Sequence, residues 1–374
     1  LFASSVSPYN LHIPNATTTV TESGGIGIAG ITSDFDGEIR QGNPGYSGSG
    51  VSTDIGADEF GGTNPNLAAI DMGVLALVTP AASGCYTSSE TVTVTIKNWG
   101  TSSLNLATNN VVITTNVTGA VTQTLSRTLN SGTLAPGATM NAIMSSTLNM
   151  STAGVYTFNS YTTVSGDGNA TNDGMAPANR TVQPIVSLPQ TVDFTGFTGA
   201  NLTTVFPNWY EATGSSVPSG TASSWLNAAL GGTSAKINLF TTSRIDWLVG
   251  PKFVVANGDA LKFKVAITDY NALTADPDGM QGTDDKVMVK ISTDCGLSYS
   301  TIYTFEASNT VSISNTLVDQ TIDLSAYAGQ NVILAFMATD GPIDNTPDYD
   351  FHLDDIFIGQ PPAVPTLTVN PVSL

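Results

Sequence analysis

The feature that most restricts the fold of this chain is a two-residue rhythm. In residues 91–96 (TVTVTI), Val92, Val94 and Ile96 alternate with Thr; in 261–267 (LKFKVAI), Leu261, Phe263 and Val265 alternate with Lys262 and Lys264. Successive side chains of an extended strand point to opposite faces, so this rhythm writes one apolar and one polar face. No 3.6-residue apolar period is sustained over the length of a helix. Gly, Asn and Pro punctuate the rhythmic stretches about every ten residues, which is the spacing of strands and turns in a sandwich. An all-β fold is the expectation.

Charge narrows the partners. The 374 residues are enough for two to four domains. Eleven Lys and Arg face 30 Asp and Glu, a formal net charge of −19. Phosphate recognition needs a basic patch, so a nucleic-acid partner and an anionic membrane surface are both excluded. No apolar run reaches the length of a membrane span. Only 11% of residues are charged, which leaves a surface of Thr, Ser, Asn and Gly. Six of the 30 acids are Glu, so 24 are Asp, and sixteen of these lie between Asp246 and Asp355. Asp suits turns and calcium loops, which directs attention to the last third.

There, Asp340, Asp344, Asp348 and Asp350 precede a short apolar strand, and Asp354 and Asp355 sit inside it. Carboxylates this dense repel one another unless a cation or many donors offset them. His352 reads as the only basic group near the stretch, so a hard cation, Ca²⁺, is expected; a solvated acidic loop is the plain alternative. A second locus is DPDGMQGTDD (276–285), with Asp276, Asp278, Asp284 and Asp285. It opens like a calcium loop but has no Glu at the twelfth position, so it is not an EF-hand. Nearer the start, Asp34, Asp36 and Gly37 also resemble the opening of a calcium loop. An ion pair of Arg40 with Asp54, Asp58 or Glu59 explains that segment better.

The sequence offers little for catalysis: carboxylate pairs of the kind glycosidases use abound, but nothing in it indicates the cleft that would split their pKa values. With only His12 and His352 there is no HExxH helix and no Cys/His cluster. GYSGSG (45–50) places no Ser between Gly at −2 and +2, so it is a turn rather than a nucleophile elbow. Any bound ion is therefore expected to be structural. For ligands, Trp209 and Trp225 lie in turn-rich stretches and are candidates for stacking on sugar rings; Trp247 and Trp99 read as core. Cys85 reads as a small apolar residue, and a disulfide to Cys295 stays open.

Several motifs resemble known modules. DFDGEIR (34–40) followed by DIGADEF (54–60) resembles the last coils of right-handed parallel β-helices in secreted Bacteroidota proteins, which implies such an end over residues 1–62. The series NWGT (98–101), LAPG (134–137), GVY (154–156) and GDGNATND (166–173) resembles immunoglobulin-like modules of the CARDB type, over 71–184. VDF (192–194), the segment 287–305 and FHLDDIFIG (351–359) resemble the jelly rolls of the MAM-like, cleaved-adhesin and choice-of-anchor J group, over 185–360. That likeness implies two face-to-face antiparallel sheets with adjacent first and last strands. It also implies a structural Ca²⁺ tying these strands through Asp193 and Asp355. The group often has Glu near the first position, so Asp193 departs from it with a shorter reach. Alternation allows only one of Asp354 and Asp355 to point inward. The Pro-rich residues 361–374 read as a linker and the first strand of a further module. Both ends read as cut from a longer protein.

The module order resembles large surface adhesins of Bacteroidota exported by type 9 secretion, some serving gliding motility. The implied function is non-catalytic attachment, extracellular, to a glycan or surface-protein ligand, alongside neighbouring modules of a longer chain. Two alternatives remain: accessory domains of a secreted polysaccharide lyase or peptidase, and a structural filament subunit.

Overall fold

A computed structural model describes residues 2–361 except 66, 241, 277, 278 and 345–347. Asp278, and the expected linker and strand at 361–374 apart from Pro361, lie outside the described residues. The chain divides into two compact units between Val182 and Gln183. The described structure is all-β; its helices are single turns.

In the first unit, the described residues before β1 form turns joined by isolated bridges: Ser4 with Asn10, Ser33 with Ile39, and the parallel bridge of Thr18 with Thr63. Polar ties do the work that an apolar interior does elsewhere. Arg40 pairs with Glu59 at 3.3 Å and donates to the Gly56 carbonyl at 2.8 Å. The Asp54 carboxylate accepts the N–H groups of Ser23 and Phe60. Of the three partners open to Arg40, Glu59 is the one taken. Ile26, Ile28 and Phe35 stand exposed.

The strands that follow are β1 (Met72–Thr79), β2 (Thr93–Asn98), β3 (Leu104–Asn105), β4 (Val111–Gly119), β5 (Gln123–Leu129), β6 (Thr133–Leu134), β7 (Thr139–Ile143), β8 (Gly154–Thr163) and β9 (Ala178–Val182). They form antiparallel sheets β1-β2-β7 and β5-β4-β8-β9, plus the short pair β3-β6. One core draws on both larger sheets: Val74, Val94 and Ile96 meet Ile113, Leu125, Tyr156 and Phe158. The rhythm at 91–96 holds, since Val92, Val94 and Ile96 are all fully buried. The strand runs on through Lys97 and Asn98.

The second unit holds β10 (Ile185–Val186), β11 (Gln190–Val192), β12 (Tyr210–Thr213), β13 (Leu226–Ala228), β14 (Ser234–Asn238), β15 (Ile245–Val254), β16 (Ala260–Asp269), β17 (Lys286–Ser292), β18 (Ser300–Phe305), β19 (Val318–Asp323), β20 (Asn331–Thr339) and β21 (Tyr349–Gly359). One sheet runs β10-β15-β20-β17-β18 with β12 on β15; the other runs β13-β14-β21-β16-β19 with β11 on β21. The opening β11 thus pairs with the closing β21, Val192 opposite Ile356. The sheets pack face to face through aromatic rings. Phe263 of β16 lies 5.1 Å from Phe336 of β20 and 6.0 Å from Phe305 of β18, both edge to face. Phe351 of β21 lies 5.3 Å from Phe305. Such geometry adds to the burial of the rings themselves.

β21 carries the fold's main irregularity. Phe351 and Leu353 face the core, and so do Ile356 and Ile358. Odd positions give way to even ones because an extra residue enters opposite Lys262–Lys264 of β16. Asp355, with φ 47°, is at that β-bulge.

Candidate functional site

β14, β21 and β16 are neighbours, and their ends shape a cleft of 460 Å³. Register sets Asn238 beside Asp350, and Asp350 beside Thr268. On β21, Asp350 and His352 alternate with the core residues Phe351 and Leu353, so they lie on the face turned from the core. Lys236 Nζ donates to Asp350 Oδ2 at 2.6 Å and to Asn271 Oδ1 at 3.0 Å. The Asn271 N–H donates to the same Asp350 oxygen at 3.0 Å. Asn271 reaches it from a left-handed turn, φ 53°, which Asn tolerates better than most residues.

Two acceptors at this cleft lack a donor among the described residues. Asp350 is fully buried, and its Oδ1 accepts nothing. The Asn238 amide donates to the Tyr349 carbonyl at 2.7 Å, yet its Oδ1 is buried and unmatched. A buried acceptor without a donor costs about 1–3 kcal/mol. Aromatic rings form another wall. Phe240 and Tyr270 stand with centroids 6.4 Å apart and planes 32° from parallel, and Tyr270 is 49% exposed. The Arg244 guanidinium lies 5.0 Å over Phe240, and its Nη1 donates to the Asn238 carbonyl at 3.3 Å. The arrangement can take hydrogen-bond donors on one side and an apolar face on the other.

Sequence reading did not single out Phe240, Tyr270, Asn238 or Lys236. Lys236 and Asn238 lie on β14, Phe240 just beyond it and Tyr270 just beyond β16, and only Asp350 lay in a stretch that drew attention. His352 is also not the one basic group near that stretch: Lys236 and Lys264 approach from β14 and β16.

The acidic loci are placed as follows. Asp276, Asp285 and Asp340 are buried at 3%, 2% and 0% exposure, with Asp284 half-buried beside them. The Tyr349 hydroxyl donates to Asp285 Oδ2 at 2.8 Å, the Ile343 N–H to Asp284 Oδ2 at 2.8 Å, and the Arg244 N–H to Asp340 Oδ1 at 2.6 Å. Gln281 donates to Asp276 Oδ1 at 2.5 Å, while its own Oε1 is buried and unmatched. Burial, with the charges of Asp284, Asp340 and Asp348, pushes Asp285 up to about 6. Glycine brings the backbone close: a Cβ at Gly282 or Gly341 would strike the carboxylates of Asp285 and Asp284. An all-oxygen donor set of this kind fits a hard cation such as Ca²⁺. Asp340, from the end of β20, joins this locus rather than the acidic stretch that follows it in sequence.

The pairing of Asp193 with Asp355 is corrected. At the bulge Asp355 turns outward to Lys264, 2.8 Å away, and Asp354 is the buried one, 4% exposed. Burial first, then the charges of Asp355 and Asp193, raise Asp354 to about 6. Asp193 is exposed and accepts the Thr195 N–H at 3.0 Å in its own turn. Trp209 and Trp225, expected as stacking rings, are 3% and 0% exposed and belong to the core, so neither offers a flat face. Cys85 is exposed rather than packed, and no cysteine of the described residues is free.

In the first unit, His12 with Asp36 and Asp58, and Asp34 with Glu38 and Asp58, bring ligand atoms within 4.8 Å of one another. His12 Nε2 and Asp36 already hydrogen-bond at 2.6 Å, and Asp34 accepts the N–H groups of Asp36, Glu38 and Glu59, so turn structure accounts for them.

No protein-family model and no curated protein matches this chain. Among solved structures, the K3 cleaved adhesin domain of Lys-gingipain from Porphyromonas gingivalis W83 is similar at 16% identity and a TM-score of 0.31, covering 46% of this chain and 98% of that one. TmCBM61 in complex with β-1,4-galactotriose is similar at 11% identity and 0.28, covering 45% and 94%. The xylan-binding module CBM15 is similar at 12% identity and 0.28, covering 47% and 97%. Likeness of this degree decides nothing about activity.

Proposed function

We propose that this chain is a non-catalytic stretch of a secreted cell-surface adhesin, and that its second unit holds a neutral glycan in the cleft of β14, β16 and β21. The observation that carries this reading is the pair of orphaned acceptors, Asp350 Oδ1 and Asn238 Oδ1, at a cleft walled by Phe240 and Tyr270. A sugar ring presents hydroxyl donors at its edge and C–H groups on its face, which answers both features. Both cations beside the cleft already face carboxylates, Lys236 with Asp350 at 2.6 Å and Arg244 with Asp246 at 4.0 Å, which favours a neutral polymer over an anionic one. The Asp350 carboxylate is held as an ion pair, which argues against a general-acid role.

The remaining parts of the reading are architectural. Residues 1–62 are the end of a parallel β-helix, whose exposed Ile26, Ile28 and Phe35 a preceding coil would cover. Residues 71–184 are an Ig-like spacer, and 185–360 a jelly roll stabilised by Ca²⁺ at Asp276, Asp284, Asp285 and Asp340. Export by type 9 secretion, and a part in gliding, complete it.

Binding to a glycan array, followed by calorimetry on each hit, tests the cleft. Tyr270→Ala and Asn238→Ala should each weaken binding about tenfold, the value of one lost ring or hydrogen bond. Binding that neither substitution alters places the adhesive surface elsewhere. EDTA should lower both the melting temperature and the affinity; no change in either removes the ion from the reading.

A further inference from the structure

The sheet β10-β15-β20-β17-β18 has an outer face with an apolar cluster of its own. On β20, Ile333, Ala335 and Met337 alternate with the core residues Val332, Leu334 and Phe336, so they point away from the sandwich core. Residues directly opposite one another on neighbouring strands share a face. Register thus sets Trp247 of β15 and Met288 of β17 beside Met337, Val249 and Lys290 beside Ala335, and Lys252 beside Ile333. Tyr210 of β12, opposite Val249, joins them. Tyr210 and Lys252 also line a pocket of 180 Å³, whose remaining wall includes Pro184, Trp209, Gly250 and Pro251.

Three lysines of the second unit have acid partners: Lys236 with Asp350, Lys264 with Asp355 and Lys286 with Glu306. Lys252 and Lys290 form no ion pair among the described residues, although the chain carries a net charge of −19. Both are half-buried, and burial alone moves each pKa below the usual lysine value, with no carboxylate near enough to raise it. Asp294, just past the end of β17, is taken up by the hydroxyls of Ser292 and Ser298. An ammonium drawn partly out of water with no acid beside it carries a cost that an incoming anion removes. Across β20 the two lysines lie two strands and two residues apart, about 12 Å, within the span of one extended oligomer.

We propose that this face binds a carboxylated glycan, with one uronic-acid unit in the pocket, its carboxylate on Lys252, and a second carboxylate of the same oligomer on Lys290. The ring of such a unit has C–H groups for the Tyr210 and Pro walls, and its charge matches the point charge of an ammonium. At the cleft of the opposite sheet both cations already face carboxylates, which favours a neutral ligand; here neither does, which favours an anionic one. The two sites share no residue, so failure of this one would leave the cleft reading standing.

Calorimetry of the full chain with oligogalacturonate reads the site. Binding should saturate, and Lys252→Gln and Lys290→Gln should each weaken it about tenfold or more, the loss of one charge-assisted hydrogen bond. Lys252→Arg keeps the charge and should keep most of the affinity. Lys262→Gln removes the same charge from β16 of the other sheet and should leave binding unchanged, as should Tyr270→Ala at the cleft. The methyl ester of the same oligomer retains the rings without the charges and should bind about tenfold more weakly or worse. Polyglutamate that binds as tightly as oligogalacturonate would assign the face to an acidic peptide and overturn the glycan. No binding of oligogalacturonate to the folded chain, or an equal loss in the Lys262, Lys252 and Lys290 variants, also overturns the proposal.

Discussion

His352 shows how a single side chain can set a pH limit. It is fully buried, between the Ser234 hydroxyl at 3.3 Å and the Thr268 hydroxyl at 3.0 Å. Burial pushes its pKa down from 6.5 to about 4, outweighing the nearby Asp350. The unfolded chain therefore takes up a proton at a pH where the folded chain does not. Stability from this group is full above pH 6.5 and is lost as pH falls through 6.5 towards about 4. Asp285 and Asp354, whose pKa values are raised, have the opposite slope, so the histidine shows only as a difference. Urea unfolding of the parent and of His352→Gln should diverge below pH 6.5, with the parent losing on the order of 2 kcal/mol relative to the variant by pH 4. Parallel curves would mean that His352 titrates normally. At this same scale the sequence misled about tryptophan. Trp is the largest candidate for a sugar platform, but burying its area is worth more to the fold than exposing it, so Trp209 and Trp225 went to the core and the smaller rings of Phe240 and Tyr270 line the cleft.

The strands themselves were legible where alternation was strict. Leu261, Phe263, Val265 and Ile267 of β16 are buried as a set, with Lys262 and Lys264 on the other face. β21 was legible as a strand but not as a bulged one, because two adjacent Asp conceal where the rhythm changes phase. The bulge keeps both halves of its apolar set on the core; without it Ile356 and Ile358 would turn outward. Asp355 holds φ 47° there, and its pair with Lys264 is largely exposed, worth little. Asp355→Gly should thus change stability by less than about 1 kcal/mol, since relief of backbone strain offsets the lost pair. Asp355→Val should cost more, about 1–3 kcal/mol, because a β-branched residue resists that conformation. Equal effects of Gly and Val in chemical unfolding would show that the bulge is not held in the left-handed region. Phe263→Ala removes the ring that meets two rings of the facing sheet and should cost about 3–5 kcal/mol.

For the molecule as a whole, the all-β class was readable because it depends on a rhythm that every strand repeats. The cleft was not, because its residues meet only through the register of β14, β21 and β16. Between these lies the net charge of −19, plain in the sequence yet ambiguous in meaning. Dispersed acids form a solvated coat; gathered and buried ones call for ions. The structure contains both kinds, with Asp276, Asp285 and Asp340 buried and Asp36 and Asp344 exposed. The two respond differently to salt. NaCl screens the coat over a Debye length of about 8 Å near physiological strength, so it should raise the melting temperature gradually and without saturation at low concentration. CaCl₂ at matched ionic strength should raise it further and then saturate, because the buried groups bind by mass action. EDTA should reverse the second increment and leave the first. If calcium gives no more than sodium at equal ionic strength, the buried carboxylates are held by protons and hydrogen bonds alone, and the chain should then be more stable near pH 5 than at pH 8, since groups with raised pKa values lose their stabilising protons as pH rises.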